Sequence, residues 1–266
     1  MKKYEIVDAH CHIYPQKIAA KAVAATDKFY GANSYGDGTV ENLRTICQRS
    51  GIDHAIIQSV ATTPKQVNSI NEFIAAEVNA GDGFFTGLGT LHPDSEDLKN
   101  DIDHLIGLGL KGVKLHPDIQ GFEMDGEKLF RMYELCEKEK LIMLIHTGDK
   151  RYDNSNPDRV EAVLKNFPKL KVIGAHLGGW SIWDEAPKRL SGFSNFFVDC
   201  SSSFGFADKK TIKNAISEYG ADKVLFGTDY PMWGAEEEIN NLLSLELSDE
   251  ENCKILSGNA KKLFDI

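Results

Sequence analysis

Eight short apolar runs, separated by longer polar–apolar stretches of helical period, constrain the fold of this chain more than any other feature. The runs cover residues 5–12, 54–60, 84–90, 112–116, 141–146, 172–176, 196–201 and 223–229. Most lack the alternation of a half-exposed strand and fit strands covered on both faces. Helical stretches lie between them at 40–49, 64–79, 96–108, 126–139, 158–166, 209–219 and 235–243. Such alternation gives βαβ units and a parallel sheet. Eight units predict an α/β fold, a regular or distorted (β/α)8 TIM-type barrel, and the absence of a Ser/Pro-rich linker predicts a single domain over 1–266. Thr63-Pro64 marks a helix start, Ser248 with Glu251 a capping box, and Gly51, Gly81 and Gly220 stand where C-caps belong. The longest connection, 15–38, reads as ending in a loop at 30–38.

Composition narrows the partners. Thirty Lys and Arg against forty Asp and Glu give a net charge of −10, which disfavours binding to a phosphate backbone. The five cysteines are odd in number and lack a Cys-x-x-Cys pair, as expected of reduced thiols in a cytoplasmic protein. Met1-Lys2-Lys3 leads into Glu5 and Asp8 rather than an apolar signal stretch, and apolar runs such as 141–145 are far shorter than the ~20 residues that span a bilayer. The expected partner is a small-molecule substrate, with no nucleic acid and no membrane, for a chain acting alone or as a homo-oligomer.

In a barrel of this kind chemistry sits at the C-terminal ends of the strands. Five of the eight histidines, His10, His12, His116, His146 and His176, fall at such ends, and Asp229 closes the last run. Two apart on a strand, His10 and His12 point to the same side and can reach one ion. Taken alone the pair is equally two structural histidines; the company of His146, His176 and Asp229 tips the reading to a divalent metal site.

The same residues carry a resemblance. Asp8-Ala9-His10-Cys11-His12-Ile13-Tyr14-Pro15, Gly112-Val113-Lys114-Leu115-His116-Pro117, Leu144-Ile145-His146-Thr147-Gly148, Gly174-Ala175-His176-Leu177-Gly178-Gly179, Phe226-Gly227-Thr228-Asp229-Tyr230-Pro231 and Gly258-Asn259-Ala260-Lys261-Lys262-Leu263-Phe264 are similar to the amidohydrolase-related family of the amidohydrolase superfamily. The resemblance implies that His10, His12, His146 and Asp229 ligate a divalent metal with His176 beside it. Zn2+ is the first choice and one ion the default. Lys114 falls near where binuclear relatives place a carboxylated lysine that bridges a second ion.

The chemistry expected first is hydrolysis of an amide, ester or lactone of a small, carboxylate-bearing molecule, by water activated on the metal. Asp229 would orient that water and relay its proton, and His176 would stabilise the oxyanion or carry a second proton. The alternative is non-oxidative decarboxylation of an aromatic or unsaturated acid, to which this branch is similar as well. The short chain favours hydrolysis, whereas Arg151 and the tryptophans lean toward decarboxylation. A nuclease-like barrel is disfavoured because such enzymes place a glutamate where Lys114 stands. A catalytically silent binding barrel is disfavoured by the intact ligand set.

Around the centre, Arg151 is either a clamp for a substrate carboxylate or a solvated loop residue. Lys114 and His116 are further substrate contacts, and Trp180, Trp183 and Trp233 are either aromatic pocket walls or loop packing. His54, His92 and His104 and the buried-type Cys11 are expected to be non-catalytic.

Overall fold

A computed structural model describes residues 3–266. Met1 and Lys2, where the reading of the N-terminus begins, lie outside the described residues. The strands are β1 (Val7–His12), β2 (His54–Gln58), β3 (Phe85–Gly87), β4 (Gly89–Thr90), β5 (Gly112–Leu115), β6 (Ile142–Ile145), β7 (Val172–Gly174), β8 (Phe196–Asp199) and β9 (Val224–Leu225). Every ladder is parallel, in the sequential orders β1-β2-β3 and β4-β5-β6-β7-β8-β9. The ring closes where Ala9 N donates to Phe226 O at 2.9 Å and His12 N to Tyr230 O at 2.7 Å. The result is a (β/α)8 barrel.

The helices are α1 (Ala19–Tyr30), α2 (Val40–Ser50), α3 (Val67–Ala80), α4 (Leu98–Gly107), α5 (Pro117–Gln120), α6 (Glu127–Lys138), α7 (Pro157–Asn166), α8 (Ala186–Leu190), α9 (Lys209–Tyr219), α10 (Ala235–Leu243), α11 (Asp249–Cys253) and α12 (Asn259–Phe264). Two cores follow from strand parity. Val7, Ala9, Ile56, Leu88, Leu144, Ile173 and Leu225 face the barrel axis, where Ala260, Leu263 and Phe264 of α12 join them. The alternate residues, among them Cys11, Ile57, Val113, Met143, Val172 and Val198, pack outward under the helices.

Two expectations change. The third run is not one strand: it divides at Leu88, so that β3 pairs with β2 and β4 with β5. Helix side chains crowd the division, and a Cβ on Gly89 would meet Leu105 Cδ1 at 2.5 Å. The connection 15–38 also holds a helix, α1, before its loop. Ala19, Ala20, Ala22, Ala24 and Ala25 favour helix, and Gly31 ends it in the left-handed region at φ 65°. Punctuation elsewhere stands as expected. Thr63 and Pro64 open a single 3₁₀ turn into α3, the Ser248–Glu251 capping box starts α11, and Gly51, Gly81 and Gly220 follow α2, α3 and α9. All five cysteines are free. Among the described residues no helix is long and apolar enough to cross a membrane.

Candidate metal centre

Parity decides which strand-end residues point into the barrel. On β5, β6, β8 and the extension of β9, the side chains at Lys114, His146, Asp199 and Asp229 continue the inward-facing series. On β1 the series would instead carry Cys11 inward. A bulge prevents this: Asp8 pairs with Ala55 and Cys11 with Ile57, three residues against two. The extra residue reverses the alternation, sending Cys11 into the outer core and both His10 and His12 inward. His176 is turned in by a left-handed pair, with φ 60° at His176 and 55° at Leu177.

Asp8 locks this arrangement by joining the two strands that close the ring. Its carboxylate accepts from Thr228 N at 3.0 Å and Thr228 Oγ1 at 2.6 Å, and from His10 N at 3.1 Å within the bulge. Gly227 makes room, since a Cβ there would meet His10 Cβ at 2.9 Å.

The side chains converge closely. His10 Nε2 lies 3.2 Å from His12 Nε2, 3.3 Å from Asp229 Oδ1 and 3.0 Å from Lys114 Nζ. His12 Nε2 is 3.6 Å from the same Asp229 oxygen. Across the centre His176 Nε2 stands 3.1 Å from His146 Nδ1. The five residues expected at the metal therefore come together, with Lys114 among them.

The outer nitrogens settle what the inner ones can offer. His10 Nδ1 faces Asp199 Oδ2 at 2.9 Å, and His176 Nδ1 faces the Ser201 carbonyl at 2.9 Å. Both oxygens accept, so each Nδ1 carries the hydrogen and each Nε2 presents a lone pair. Burial pushes the imidazoles of His10, His12 and His146 well below their ordinary pKa, and that of His176 to about 4. The donor atoms of His10, His12 and Asp229 lie within reach of one ion, and His146 groups beside them with His116 and Asp118; neutral imidazoles with carboxylates are the donor set a divalent ion requires. His146 Nε2 and Asp118 Oδ2, 3.7 Å apart, are buried without a hydrogen-bond partner. The chemistry of the donor set thus fits a metal.

Burial raises the Asp229 carboxyl well above the usual carboxylate range and lowers the Lys114 ammonium. Asp229 Oδ2 accepts from Ser202 Oγ at 2.6 Å, and Ser202 accepts in turn from Trp233 Nε1 at 2.8 Å.

A cavity of about 710 Å³ opens on His10, His12, Lys114, His116, His146, His176 and Asp229. A second hollow of about 20 Å³ meets the same centre between Trp180, Phe206 and Trp233. Tyr30 of α1 borders both. Its hydroxyl lies 2.7 Å from His116 Nε2, and His116 stacks on His146 with ring centroids 4.0 Å apart. His116 also caps α5, where its Nδ1 accepts from Ile119 N at 3.3 Å.

Arg151 lies elsewhere. Its guanidinium is held by Asp149, with Nε 3.0 Å from Oδ1 and Nη2 2.6 Å from Oδ2, and it donates to Phe29 O at 3.1 Å. It lines neither hollow, so the structure uses it to bind a loop to α1 rather than to face a ligand. Trp183 sends its Nε1 hydrogen to the His176 carbonyl at 3.1 Å. Sequence reasoning did not single out Asp199, Asp118, Tyr30 or Ser202. Asp199 closes β8 in the structure, whereas the apolar run in the sequence extends to Ser201, so the strand-end rule that found Asp229 did not reach it.

A family description, Amidohydrolase, matches residues 7–266. The chain is 25% identical over 243 residues to the 2-amino-3-carboxymuconate-6-semialdehyde decarboxylase of Dictyostelium discoideum. That match covers 74% of this chain and 66% of the relative, so the chain spans just under two thirds of the relative's length. In fold it is similar to an uncharacterised TIM-barrel protein of Bordetella bronchiseptica, with a TM-score of 0.81, 21% identity and 98% of both chains covered. It is also similar to a dihydroxybenzoic acid decarboxylase of Polaromonas sp. JS666 solved with bound manganese and 2-nitroresorcinol. There the TM-score is 0.74 at 16% identity, covering 98% of this chain and 97% of the other.

Proposed function

Because the chain belongs to the amidohydrolase family, we propose that it is a metal-dependent decarboxylase, acting without a redox step on an aromatic or unsaturated carboxylic acid. The barrel, as one domain over 1–266 in a cytoplasmic setting, would hold the ion with His10, His12, His146 and Asp229, and His176 would stand beside it. When bound, the ion supplies a Lewis-acidic positive charge that fixes and polarises oxygens of the acid. Manganese bound in the Polaromonas structure supports Mn2+ as a candidate beside Zn2+.

The carrying observation is the placement of Asp229 on the cavity beside the imidazoles. Loss of CO2 leaves an electron pair on carbon, which must take a proton; hydrolysis instead needs a base that accepts one from water. His10 and His176 have their hydrogens committed to Asp199 and Ser201. Asp229 faces the cavity and is the carboxyl placed to relay a proton to the carbon, with Ser202 Oγ donating to its Oδ2. The carbon–carboxylate bond breaks, CO2 departs, and the Asp229 proton goes to the carbon. Solvent then restores that proton. Lys114, at the inner end of the cavity, supplies a cation for the anionic acid.

Hydrolysis, the reaction expected first from sequence, has less support, because the relatives above whose activity is named are decarboxylases. The test is a panel of 13C-carboxyl aromatic and unsaturated acids, with amides, esters and lactones alongside, given Mn2+ or Zn2+ in D2O. We expect 13CO2 in the headspace and one deuteron on the carbon that lost it. Hydrolysis of an amide, ester or lactone with no CO2 from any acid would overturn the reading.

A further inference from the structure

The strand-end centre accounts for only one end of the 710 Å³ cavity. The rest runs outward between α1 and α3. Ile18, just before α1, and Ala22, Ala25 and Phe29 on it line this part; their spacing of four, three and four residues places them in one stripe along a helix. On α3 the opposing wall is Ile70 and Phe73, with Ser69 beside them. The stripe has alanine at its two middle positions, and there the slot stays open where larger apolar side chains would close it. The volume lies in the upper half of the ~300–1,000 Å³ range of small-molecule sites, and a large share of it is walled by carbon.

Two lysines line the cavity, Lys21 on the exposed face of α1 and Lys114 farther in, and the metal-fitting residues beside Lys114 set the direction in which an acid lies. Arg151 is held by Asp149 away from the cavity. Lys114 is at the inner end, buried against His10, beside the residues that fit a metal. An anionic head therefore goes inward, and whatever is attached to it lies along the α1–α3 walls.

We propose that this arm binds an unbranched alkyl extension of the substrate, so that the preferred acid carries a chain reaching outward from its ring or unsaturated head. The head group rests on the decarboxylase reading; the arm rests on the cavity. The test is calorimetric titration of the metal-supplemented protein with alkylresorcinols, which have no carboxylate to lose, bearing methyl, propyl, pentyl and heptyl chains. Burial of each methylene should tighten Kd about fourfold until the arm is full. Ala22→Phe and Ala25→Phe, which fill the slot from one side, should each flatten the series.

A Kd independent of chain length in the wild-type protein overturns the proposal, and so does an undiminished slope in the variants. If a variant fails to fold, as judged by circular dichroism, the wild-type series and the other variant decide. The two readings fail separately. A steep series with no CO2 from any acid removes the decarboxylase and leaves the arm, while CO2 release with a flat series removes the arm and leaves the decarboxylase.

Discussion

At the strand ends each group of the centre is carried by a backbone position whose direction the sheet sets, whereas above them Phe29 and Tyr30 are carried by α1, a helix inserted between β1 and α2. The lower region is held by ladder hydrogen bonds and by Asp8 joining β1 to Thr228. The upper one is held by side chains: Tyr30 on His116, and Arg151 among Phe29, Tyr30, Tyr152 and Trp180. The contrast teaches a division of labour. Positions that must meet an ion to within a fraction of an ångström are fixed by backbone geometry, and positions that shape the space for a ligand are left to side-chain packing.

That division breaks or sharpens under substitution. Asp229→Asn preserves size but removes the transferable proton, so CO2 release should fall by roughly 10²–10⁴-fold with an unchanged near-ultraviolet dichroism spectrum; activity within tenfold of wild type would separate Asp229 from the chemistry. Next in size is Asp199→Asn. His10 then loses the anion on Nδ1, and metal affinity measured against a chromophoric chelator should weaken about 10–100-fold.

The smallest effect belongs above the strands. Tyr30→Phe deletes one hydroxyl hydrogen bond, costing about 1 kcal/mol, and should raise KM several-fold with metal affinity intact. If instead it weakened metal binding as far as Asp199→Asn does, the two regions would be a single unit and the comparison would fail.

How far the site was legible in the sequence follows the same line. The strand ends were readable because a run of apolar residues fixes where a strand stops, and His146 and Asp229 stop there. Asp199 is hidden because its run continues to Ser201 while the strand stops at Asp199. The bulge in β1 was not readable, since an extra residue shows only against the register of β2. His10 and His12 were thus placed on one side correctly, without the reason they face inward. The alanines of α1 are a helix signal inside the connection 15–38. Where that helix docks depends on residues more than a hundred positions away, such as Arg151, and local pattern carries no such information. For Arg151 the partner was two residues back in Asp149; competition between a near acid and an imagined ligand was decided by proximity.

The guanidinium of Arg151 lies 5.3 Å from the Phe29 and Tyr30 rings and 5.5 Å from that of Trp180, and it bonds the Phe29 carbonyl. These contacts all gather at the last turn of α1, while Ile18 at the other end is 50% exposed. Ala19, the first residue of the helix, is buried in its turn. In mechanical terms the helix is a beam resting on two supports, one at each end, and the side chains that line the cavity hang from the span between them.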